Sequence, residues 1–525
     1  MKRKRIASII AALAVLAMLL SACGSGNETP QTAESTATTE MTEATETPAN
    51  DTEAELSEGT ELVSSAETDA PQGDPPGDPP DGSGGPGGTP PDGGNGGPGG
   101  TPPGDPPSGE MPGGGPGGSS ANIEYSGAVE INSADTQIGQ TYASTTSDES
   151  ALLISTDAEV TVTDPTVSKT GSSDGGDNCN FYGLNAAVLV KDGATVTITG
   201  GTITSDASGA NGVFCYGGNG GQNGASGDGT TLVIRDTEIT TTGSGSGGIM
   251  TTGGGITYAY DLTVTTSGQS SAAIRTDRGG GTVYVDGGTY TSNGLGSPAI
   301  YSTAEIHVAN ATLVSNLSEG VCIEGVNSIE LTDCDLTANN TKCNGNATFY
   351  DTIMIYQSMS GDADSGTSSF KMTGGTLTSK NGHVFHVTNT NAVITLNRVL
   401  IFNEDADNIL LSVCADGWSG GSNTATLNAI AQVLSGAIKV GSDSTLTLNL
   451  TEGSSFTGSI DGSIVNATGA AVSTEVGTIS VKLDDSSTWT LTGDSYVTEF
   501  NGDAANIVSN GYTLYVNGVA LSGTK

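Results

Sequence analysis

A pattern of three apolar positions recurs along residues 160–400. In each copy an apolar or small residue is followed two positions later by a second, and five positions after that by a third. Three successive copies, starting at Val283, Ile306 and Ile329, are equally spaced, and the wider intervals contain insertions rich in Gly, Asn and Ser. A repeat of this period, with alternation inside each copy, predicts a solenoid with one coil per repeat. The copies are Val160, Val162, Val167; Val196, Ile198, Ile203; Leu232, Ile234, Ile239; Val283, Val285, Tyr290; Ile306, Val308, Leu313; Ile329, Leu331, Leu336; Phe370, Met372, Leu377; and a degenerate copy at Thr257, Ala259, Val264.

The segment between the second and third apolar positions predicts a tight bend. In several copies it contains a Gly-Gly pair, such as Gly200 and Gly201. Glycine supplies the positive φ that a bend between two short strands requires. Each coil is therefore expected to hold three short strands, with the apolar side chains inward. The third strand is expected in the later part of each coil, at Phe214, at Ile249 or Met250, and at Ile274, Ile300 and Ile323.

Three-stranded coils of this short period resemble the right-handed parallel β-helix of the pectin-lyase-like superfamily. The resemblance covers roughly residues 121–525 and rests on periodicity, not on an active-site motif of the superfamily. It implies an all-β solenoid and an adhesin-like member of that superfamily. From about residue 425 the three-point pattern loosens, although Leu446, Leu448 and Leu450 still alternate, so coils that cap the C-terminal end are expected there.

The N-terminus has the features of a bacterial secretory signal. Four basic residues at positions 2–5 precede an uninterrupted small and apolar run over residues 6–20. The following Leu-Ser-Ala-Cys resembles the lipobox of bacterial lipoproteins, which implies cleavage before Cys23 and lipid attachment to its thiol. An ordinary cleaved signal and an uncleaved anchor are the alternatives, but the run is short for a span of about 20 residues. Residues 1–22 are thus interpreted as a signal peptide of a membrane-anchored, extracytoplasmic protein exposed at the cell surface.

Composition separates a spacer at residues 23–120 from the repeat region at 121–525. Residues 24–120 contain 17 of the 19 prolines and 18 acidic residues, and they contain no Lys or Arg. Such a segment buries too little apolar surface to offset its ordering entropy, so the sequence predicts disorder. Its first part is rich in Thr, Glu and Ala, and its second part repeats Gly-Asp-Pro-Pro and Gly-Gly-Thr-Pro-Pro. A spacer of this length suits a folded part that must clear a thick surface layer.

Net charge narrows the choice of partners. The chain carries a formal charge of −42, and residues 121–525 alone hold 40 acidic and 12 basic residues. Nucleic acid is excluded as a partner because phosphate contacts need Lys and Arg. Anionic polysaccharides are disfavoured for the same reason.

Alignment of the copies predicts which side chains share the outward face of one sheet. Flat aromatic rings beside hydrogen-bonding groups suit a sugar, whose apolar face stacks while its hydroxyls are recognised. The alternative interpretation is that outward strand positions simply favour Tyr, Thr and Val. The predicted face carries Arg235, Tyr258, Tyr260, Tyr284, Asp286, His307 and Glu330.

A second candidate site is the basic loop that contains Arg275 and Arg278. Its two guanidinium groups could hold a carboxylate or phosphate of a ligand, or simply relieve local acidity in a solvated loop. Acidic turns at residues 174–177 and 362–366 offer oxygens at calcium-like spacing, but neither continues into an EF-hand pattern. No cofactor is therefore expected from the sequence, with calcium left open.

The cysteines allow two interpretations. Cys179 follows Val160 by the same interval as Cys215 follows Val196, so the two are expected at equivalent places in adjacent coils. Neighbouring strands are about 4.8 Å apart, which would permit a disulfide. Free, buried cysteines are the alternative. The sequence has no CxxC or Cys/His spacing, so no metal site is predicted.

Three classes of function remain open. A lipid-anchored surface protein that binds or adheres to a neutral carbohydrate or a surface protein is the leading prediction. The first alternative is a polysaccharide-active enzyme, for which Asp333 and Asp335 are candidate carboxylates and His383 and His386 form the nearest approach to a hydrolase motif. The second alternative is a structural stalk without a specific ligand. No catalytic residue is predicted, because fold alone cannot carry a function.

Overall fold

The computed structural model describes residues 123–220 and 226–525. The signal peptide, Cys23 and the spacer up to residue 120 lie outside the described residues, so their assignments remain predictions. Within the described part, almost all regular structure is β, and three long parallel sheets dominate. We call them sheets A, B and C, in the order in which the chain visits them within each coil.

The strands of each long sheet recur at every third position in the chain. Sheet A contains β1 (Ser126–Ile131), β4 (Glu149–Ser155), β7 (Val188–Lys191), β10 (Val213–Tyr216), β13 (Ile249–Thr252), β16 (Ile274–Thr276), β19 (Ile300–Ser302), β22 (Val321–Glu324), β25 (Asp351–Tyr356), β28 (His383–Thr388), β31 (Ile409–Val413), β34 (Ala437–Val440) and β37 (Ile460–Asp461). Sheet B contains β2 (Asp135–Ile138), β5 (Glu159–Thr163), β8 (Thr195–Thr199), β11 (Thr231–Arg235), β14 (Gly255–Tyr260), β17 (Gly281–Asp286), β20 (Glu305–Ala309), β23 (Ser328–Thr332), β26 (Thr367–Thr373), β29 (Thr390–Asn397), β32 (Asn423–Ile430), β35 (Ser444–Thr451), β40 (Thr478–Leu483) and β43 (Glu499–Asn501). Sheet C contains β3 (Thr141–Ser144), β6 (Thr166–Lys169), β9 (Thr202–Ser205), β12 (Glu238–Thr241), β15 (Thr263–Thr266), β18 (Thr289–Ser292), β21 (Thr312–Ser315), β24 (Asp335–Ala338), β27 (Thr376–Ser379) and β30 (Leu400–Asn403).

Shorter elements complete the described part. Sheet C ends at β30, and a four-stranded parallel sheet D continues in the later coils. Sheet D contains β33 (Val433–Ser435), β36 (Ser455–Gly458), β41 (Thr488–Leu491) and β44 (Ile507–Val508). The remaining elements are β38 (Ile464–Val465) with β39 (Ala471–Ser473), β42 (Ser495–Val497) with β45 (Leu514–Val516) and β46 (Val519–Ala520), helix α1 (Asp177–Tyr182) and a 3-10 turn (Ala504–Asn506).

The architecture is a parallel β-helix, which confirms the predicted fold class. The first apolar position of successive copies pairs in register across sheet B, as in Val160 with Val196 and Val283 with Ile306. The third apolar position pairs in the same way across sheet C. These side chains belong to one continuous core cluster and are almost fully buried. Each inward Ile, Leu or Val contributes roughly 1.5 to 3 kcal/mol, so the repeated stripe provides the main driving force for coiling.

The turn that follows the sheet-B strand has the same form in eleven successive coils, of which ten lead to sheet C and the last leads to sheet D. It contains two residues, and the first always has a positive φ. Asp, Asn and Gly tolerate this left-handed conformation, which explains the Gly-Gly pairs of the sequence. Arg398 and Ala431 are the exceptions to that residue preference, with φ of 56° and 48°. The first residues are Gly139, Asp164, Gly200, Asp236, Asp261, Gly287, Asn310, Asp333, Gly374, Arg398 and Ala431.

Two expectations about the third strand need correction. The inward column of sheet A runs through Val213, Ile249, Ile274, Ile300 and Val321. Phe214 instead packs on the outer face of sheet A, in a second cluster with Phe181, Tyr182 and Met250. That face is covered by α1, so apolar side chains occur on both sides of the strand. Ile323 does face the core, but it lies opposite Ser302, because the preceding turn is shorter than in the earlier coils.

Regular stacking continues well past residue 425. Sheet B passes from β29 to β32, β35, β40 and β43 without interruption. The change at that point affects only the third side of the coil, where sheet D replaces sheet C. The last strand pairing is antiparallel, between Tyr515 and Ala520 and between Val516 and Val519.

Candidate functional site

Sheet B brings six of the seven predicted face residues together in one groove. Successive strands place Tyr258 opposite Tyr284, Tyr284 opposite His307, and His307 opposite Glu330. Two residues further along each strand, a parallel column carries Arg235, Tyr260 and Asp286, and the small residues that follow them open a depression. We call this depression the sheet-B groove. Its lining is Tyr258, Tyr260, Tyr284, Val285, Asp286, His307, Val308, Ala309, Glu330 and Thr332.

Three rings of the groove form a stacked ladder. The Tyr258 and Tyr284 ring centroids are 5.1 Å apart, and those of Tyr284 and His307 are 5.0 Å apart, with 11° between the planes in both pairs. This spacing is close to the separation of neighbouring strands, so in-register pairing places the rings at stacking distance. Both faces of the Tyr284 ring are therefore covered by its neighbours. Tyr284 is 39% exposed, and it offers solvent the ring edge and hydroxyl.

The sequence predicted that a sugar ring would stack on these aromatic side chains. The central ring, Tyr284, cannot be used in this way because its two faces are covered. What the groove presents instead is a row of phenol hydroxyls and ring edges. Among the described residues, the hydroxyls of Tyr258, Tyr260 and Tyr284 have no hydrogen-bond partner. Arg235 lies outside the groove lining, with its guanidinium carbon 5.0 Å from the centroid of the Tyr260 ring, and it covers that ring on one side.

Charged side chains border the ladder at its His307 end. The His307 Nε2 lies 2.8 Å from a Glu305 carboxylate oxygen, and its Nδ1 lies 3.5 Å from Glu330. Lys371 donates a hydrogen bond of 2.6 Å to Glu330, and this contact lowers the pKa of the Glu330 carboxyl. Asp286 accepts a hydrogen bond of 2.7 Å from the Asn310 amide. The groove therefore combines aromatic hydroxyls with carboxylates, which repel anions and accept hydrogen bonds from neutral hydroxyl groups.

The basic loop is already engaged within the protein. Arg275 pairs with the buried Asp277 at 2.5 Å, and Arg278 pairs with Asp362 at 2.6 Å. Burial raises the pKa of Asp277 to about 6. Because Asp362 binds Arg278, the acidic turn at residues 362–366 has one carboxylate fewer for a cation. Among the described residues, no three His, Cys, Asp or Glu side chains are grouped to hold a metal ion.

The predicted equivalence of Cys179 and Cys215 is wrong. Cys179 lies in α1, within the long turn from sheet C to sheet A, whereas Cys215 lies in β10 opposite Val190 and Thr251. Both side chains are buried and free. The equal sequence intervals from Val160 to Cys179 and from Val196 to Cys215 do not mark equivalent positions, because the turn between β6 and β7 includes an α-helix that no other described coil has.

The candidate catalytic residues have other positions than expected. Asp333 is the left-handed residue of a turn, and Asp335 is an exposed residue at the start of β24, so the two do not alternate on one strand. His383 and His386 are buried, and the Nδ1 of each lies within 2.8 Å of the Ser412 hydroxyl. Burial lowers the pKa of His383 to about 3. These residues form an internal hydrogen-bonded link rather than an accessible site.

A second concave site, on the outer face of sheet A, was not predicted. Its floor is the outward column Tyr301, Cys322 and Met354. Turns at residues 296–298 and 344–347, together with Tyr356, Met359 and Trp418, complete the lining. We call it the sheet-A cleft. Arg275 lies at one end, where its guanidinium carbon is 5.5 Å from the centroid of the Tyr301 ring.

One carboxylate fixes the aromatic side chains of the cleft. Glu324 accepts hydrogen bonds from the Tyr301 hydroxyl at 2.5 Å and from the Tyr356 hydroxyl at 3.1 Å. Burial raises the pKa of both phenols well above the usual value. Trp418 packs on Tyr356 with ring centroids 4.9 Å apart. Since the phenol hydroxyls are directed to Glu324, the cleft is lined mainly by ring and thioether surface.

A hydrogen-bonded bridge joins the two turns that carry Ala347 and Trp418 of the cleft lining. Asp416 accepts hydrogen bonds from the backbone N–H and the hydroxyl of Thr348, at 2.9 Å and 2.6 Å. The His386 ring lies beneath, with Nε2 3.4 Å from Asp416. Burial by itself would raise the pKa of Asp416, but the contact with His386 and the Thr348 hydrogen bonds lower it. The alignment places Tyr301 outward beside the inward Ile300, but Trp418 gave too weak a sequence signal because it lies in a turn whose length differs from coil to coil.

Comparison with known proteins adds no relative to this description. No protein-family model matches the chain, and neither the curated proteins nor the solved structures include a significant match. Within residues 123–220 and 226–525, no helix has the length and apolar character needed to cross a membrane.

Proposed function

We propose that the chain is a lipid-anchored protein of the bacterial cell surface that binds a neutral carbohydrate through the sheet-B groove. The observation that carries this proposal is the row of tyrosine hydroxyls without a hydrogen-bond partner among the described residues, beside Asp286 and Glu330 in a groove that several coils build together. Sugar hydroxyls can both accept from phenols and donate to carboxylates. The same carboxylates disfavour an anionic sugar.

The direction of the groove suits a chain-like ligand. The Tyr258, Tyr284 and His307 column follows the axis of the β-helix, with one side chain every strand spacing of about 4.8 Å. A linear glycan lying along the column would meet a similar set of groups at each step. We therefore propose that the protein adheres to a surface glycan or to a glycosylated surface protein. The resemblance of the coil pattern to an adhesin-like β-helix is part of the same proposal.

The binding proposal is tested with a glycan array and a matched pair of variants. In the first variant, Tyr258 and Tyr284 are both replaced by Ala. In the control, Tyr496 and Tyr515 are replaced, because they form another stacked pair, with centroids 5.1 Å apart and 8° between planes, in strands β42 and β45. We expect the first variant to lose affinity for the glycan by about tenfold or more, because aromatic side chains at the centre of a binding site contribute most of the binding free energy. The control variant should bind like the wild type.

Equal binding by both variants, with unchanged melting temperatures, would contradict a site in the groove. New reducing ends or unsaturated products released from a polysaccharide panel by the wild type would instead establish the enzyme alternative. The lipid anchor is tested separately. The Cys23→Ser variant should lose incorporated lipid label and the membrane-bound mature form, and unchanged labelling of that variant would refute the anchor.

A further inference from the structure

One lysine lies inside the β-helix, in a column that neighbouring coils fill with hydroxyl side chains. Lys169 ends β6, and it is fully buried. Its position pairs with Ser144 of β3 and with Ser205 of β9, and the same inward column of sheet C continues with Thr or Ser in the next coils. Residues 121–525 contain only 12 basic residues, so the burial of one of them is an uncommon feature of this chain.

Backbone carbonyl groups hold the amine of Lys169. Its Nζ donates hydrogen bonds of 2.7 Å to the Thr146 carbonyl and 2.5 Å to the Gly171 carbonyl. Burial lowers the pKa of Lys169, although the charges of Glu149 and Asp148 act in the opposite direction. A desolvated lysine is uncharged for a larger fraction of the time, and the uncharged amine is a nucleophile. Lys169 therefore places a nucleophilic group in the interior of the protein.

The side-chain amide of Asn185 lies at the same carbonyl group. Its Nδ2 donates a hydrogen bond of 2.9 Å to the Gly171 oxygen, the atom that also accepts from Lys169. Asn185 is 1% exposed, and its Oδ1 has no hydrogen-bond partner among the described residues. Buried polar atoms without a partner are rare and call for an explanation. The amine and the amide are thus held next to each other, away from water.

Gly171 keeps the two groups in this arrangement. A Cβ atom at this position would lie 2.3 Å from the Thr146 carbonyl oxygen and 2.7 Å from the Lys169 Nζ. Only glycine therefore fits between the strand end and the amine. Two groups that are held in a productive orientation react with effective molarities of roughly 10⁵ M or more. An amide that is inert towards amines in water can react under such conditions.

We propose that Lys169 and Asn185 join through an isopeptide bond after the chain has folded. The Lys169 Nζ attacks the Asn185 Cγ, so that the Nζ–Cγ bond forms and the Cγ–Nδ2 bond breaks. One proton passes from Nζ to Nδ2, which leaves as ammonia. Atoms and electrons balance without an oxidant or a co-reactant. This modification does not depend on the sheet-B groove or its ligand.

The bond would close the chain segment that carries α1. It would tie the end of β6 to the turn before β7, in the coils nearest to the N-terminal end of the β-helix. A covalent link within the chain restricts the unfolded state, as a disulfide does. Under the proposed anchoring at Cys23, a pulling force enters the β-helix through these coils, where such a link resists their unwinding.

Peptide mapping of the folded, full-length protein tests the bond. Between positions 160 and 191, the cleavage sites for trypsin and a glutamate-specific protease are only Lys169 and Lys191, and Glu159 precedes this segment. Trypsin does not cleave after an acylated lysine. We therefore expect both proteases together to release residues 160–191 as one peptide, lighter by one molecule of ammonia than its linear sequence requires. Fragmentation should place the branch at Lys169 and Asn185.

Three variants separate the bond from its surroundings. Lys169→Arg keeps the charge but cannot form the bond, so trypsin should cleave at position 169 and no ammonia should be lost. Lys191→Arg changes the neighbouring lysine, which pairs with Asp192 at 2.6 Å, and should leave the link intact. Gly171→Ala should slow the formation of the link by about a hundredfold, because a displacement of roughly 1 Å has that effect on the rate.

The wild type alone decides the proposal, so a variant that fails to fold does not affect the outcome. Quantitative recovery of the separate peptides 160–169 and 170–191 from the folded wild type would overturn the bond. Loss of water instead of ammonia, with Lys169 joined to Asp148 or Glu149, would overturn the assignment of Asn185 as the partner.

Discussion

The rings of Tyr258 and Tyr284 stack face to face on successive coils, with centroids 5.1 Å apart and planes 11° apart. The contact follows from the pairing of these two residues in adjacent parallel strands. In a solenoid with in-register strands, residues at equivalent positions of successive repeats therefore contact each other. His307 extends the stack by one coil and places an imidazole ring at its end.

The ladder should contribute measurably to stability as well as to binding. Single Tyr258→Ala and Tyr284→Ala substitutions and the double variant form a double-mutant cycle. We expect a coupling free energy of about 0.5 to 1.5 kcal/mol, as for other aromatic pairs. Urea denaturation measures it. If the changes in the free energy of unfolding of the two single variants simply add, the stacking contact contributes no stability.

The register of sheet B can be tested with two adjacent residues. Ile306 is fully buried and faces the core, whereas His307 points outward. Ile306→Asn should lower the free energy of unfolding by several kcal/mol, because it buries an unpaired amide and neighbouring coils share the damage. His307→Asn should change it by less than about 1 kcal/mol. Similar melting temperatures for the two variants would show that the strand faces are exchanged.

Ala431 should be a site where glycine stabilises the protein. Its φ of 48° is in the left-handed region, which costs a residue with a Cβ roughly 1 to 2 kcal/mol. Ala431→Gly should therefore raise the free energy of unfolding by about 1 kcal/mol after the entropy of glycine in the unfolded chain is subtracted. Ala429→Gly, at a buried position of β32, is the control and should destabilise. A loss of stability in both variants would refute the assigned turn geometry.

The stabilising contributions of Asp277 and Asp351 should decrease as the pH rises from about 4 towards neutrality. Burial raises the folded-state pKa of Asp277 to about 6, from 3.8, and raises that of Asp351 well above 3.8. A carboxyl with a raised folded-state pKa binds its proton more tightly in the folded protein, so its contribution is complete below about 3.8 and is lost as the pH rises through the folded-state pKa. The buried His383, whose pKa is lowered to about 3, contributes in the opposite direction, so thermal melting of the wild type between about pH 4 and pH 7 is compared with that of Asp351→Asn.

Asp351 offers the sharper test of that slope. Neither of its carboxylate oxygens has a hydrogen-bond partner within the described residues. Asp351→Asn should raise the free energy of unfolding at pH 7 by about 1 to 3 kcal/mol and leave it little changed at pH 4, because the charge is absent there. Asp461→Asn removes a partly exposed partner of Lys439 and serves as the comparison. A variant with the same pH slope as the wild type would contradict a buried, protonated Asp351.

The coil pattern was predictable because inward positions obey a strict alternation that tolerates few residue types. The interval from Val196 to Val213 is the same as that from Leu232 to Ile249 and that from Val283 to Ile300. The column with Tyr258, Tyr284 and His307 followed from the same alignment. The orientation of the rings did not, since a one-dimensional pattern gives positions but no side-chain torsions.

The sheet-A cleft could not be derived in this way. Its floor at Tyr301 follows the alignment, but Trp418 and the turn at 344–347 come from segments whose lengths differ from coil to coil. Folding of those segments depends on contacts distant in sequence, such as Asp416 with Thr348. Cys179 was misplaced for the same reason. Prediction therefore succeeded where the chain repeats itself and failed where single coils carry unique insertions.

The two-residue corner between sheets B and C has an evolutionary and engineering consequence. Since the corner after the sheet-B strand has two residues in every coil from β2 to β33, added sequence can be accommodated only at the other two corners. The protein could accordingly acquire new recognition loops one coil at a time, without disturbing the alignment of the remaining rungs. Duplication or removal of a whole coil, such as the one that begins at Ile306, would likewise change the length of the molecule while preserving the interfaces on either side.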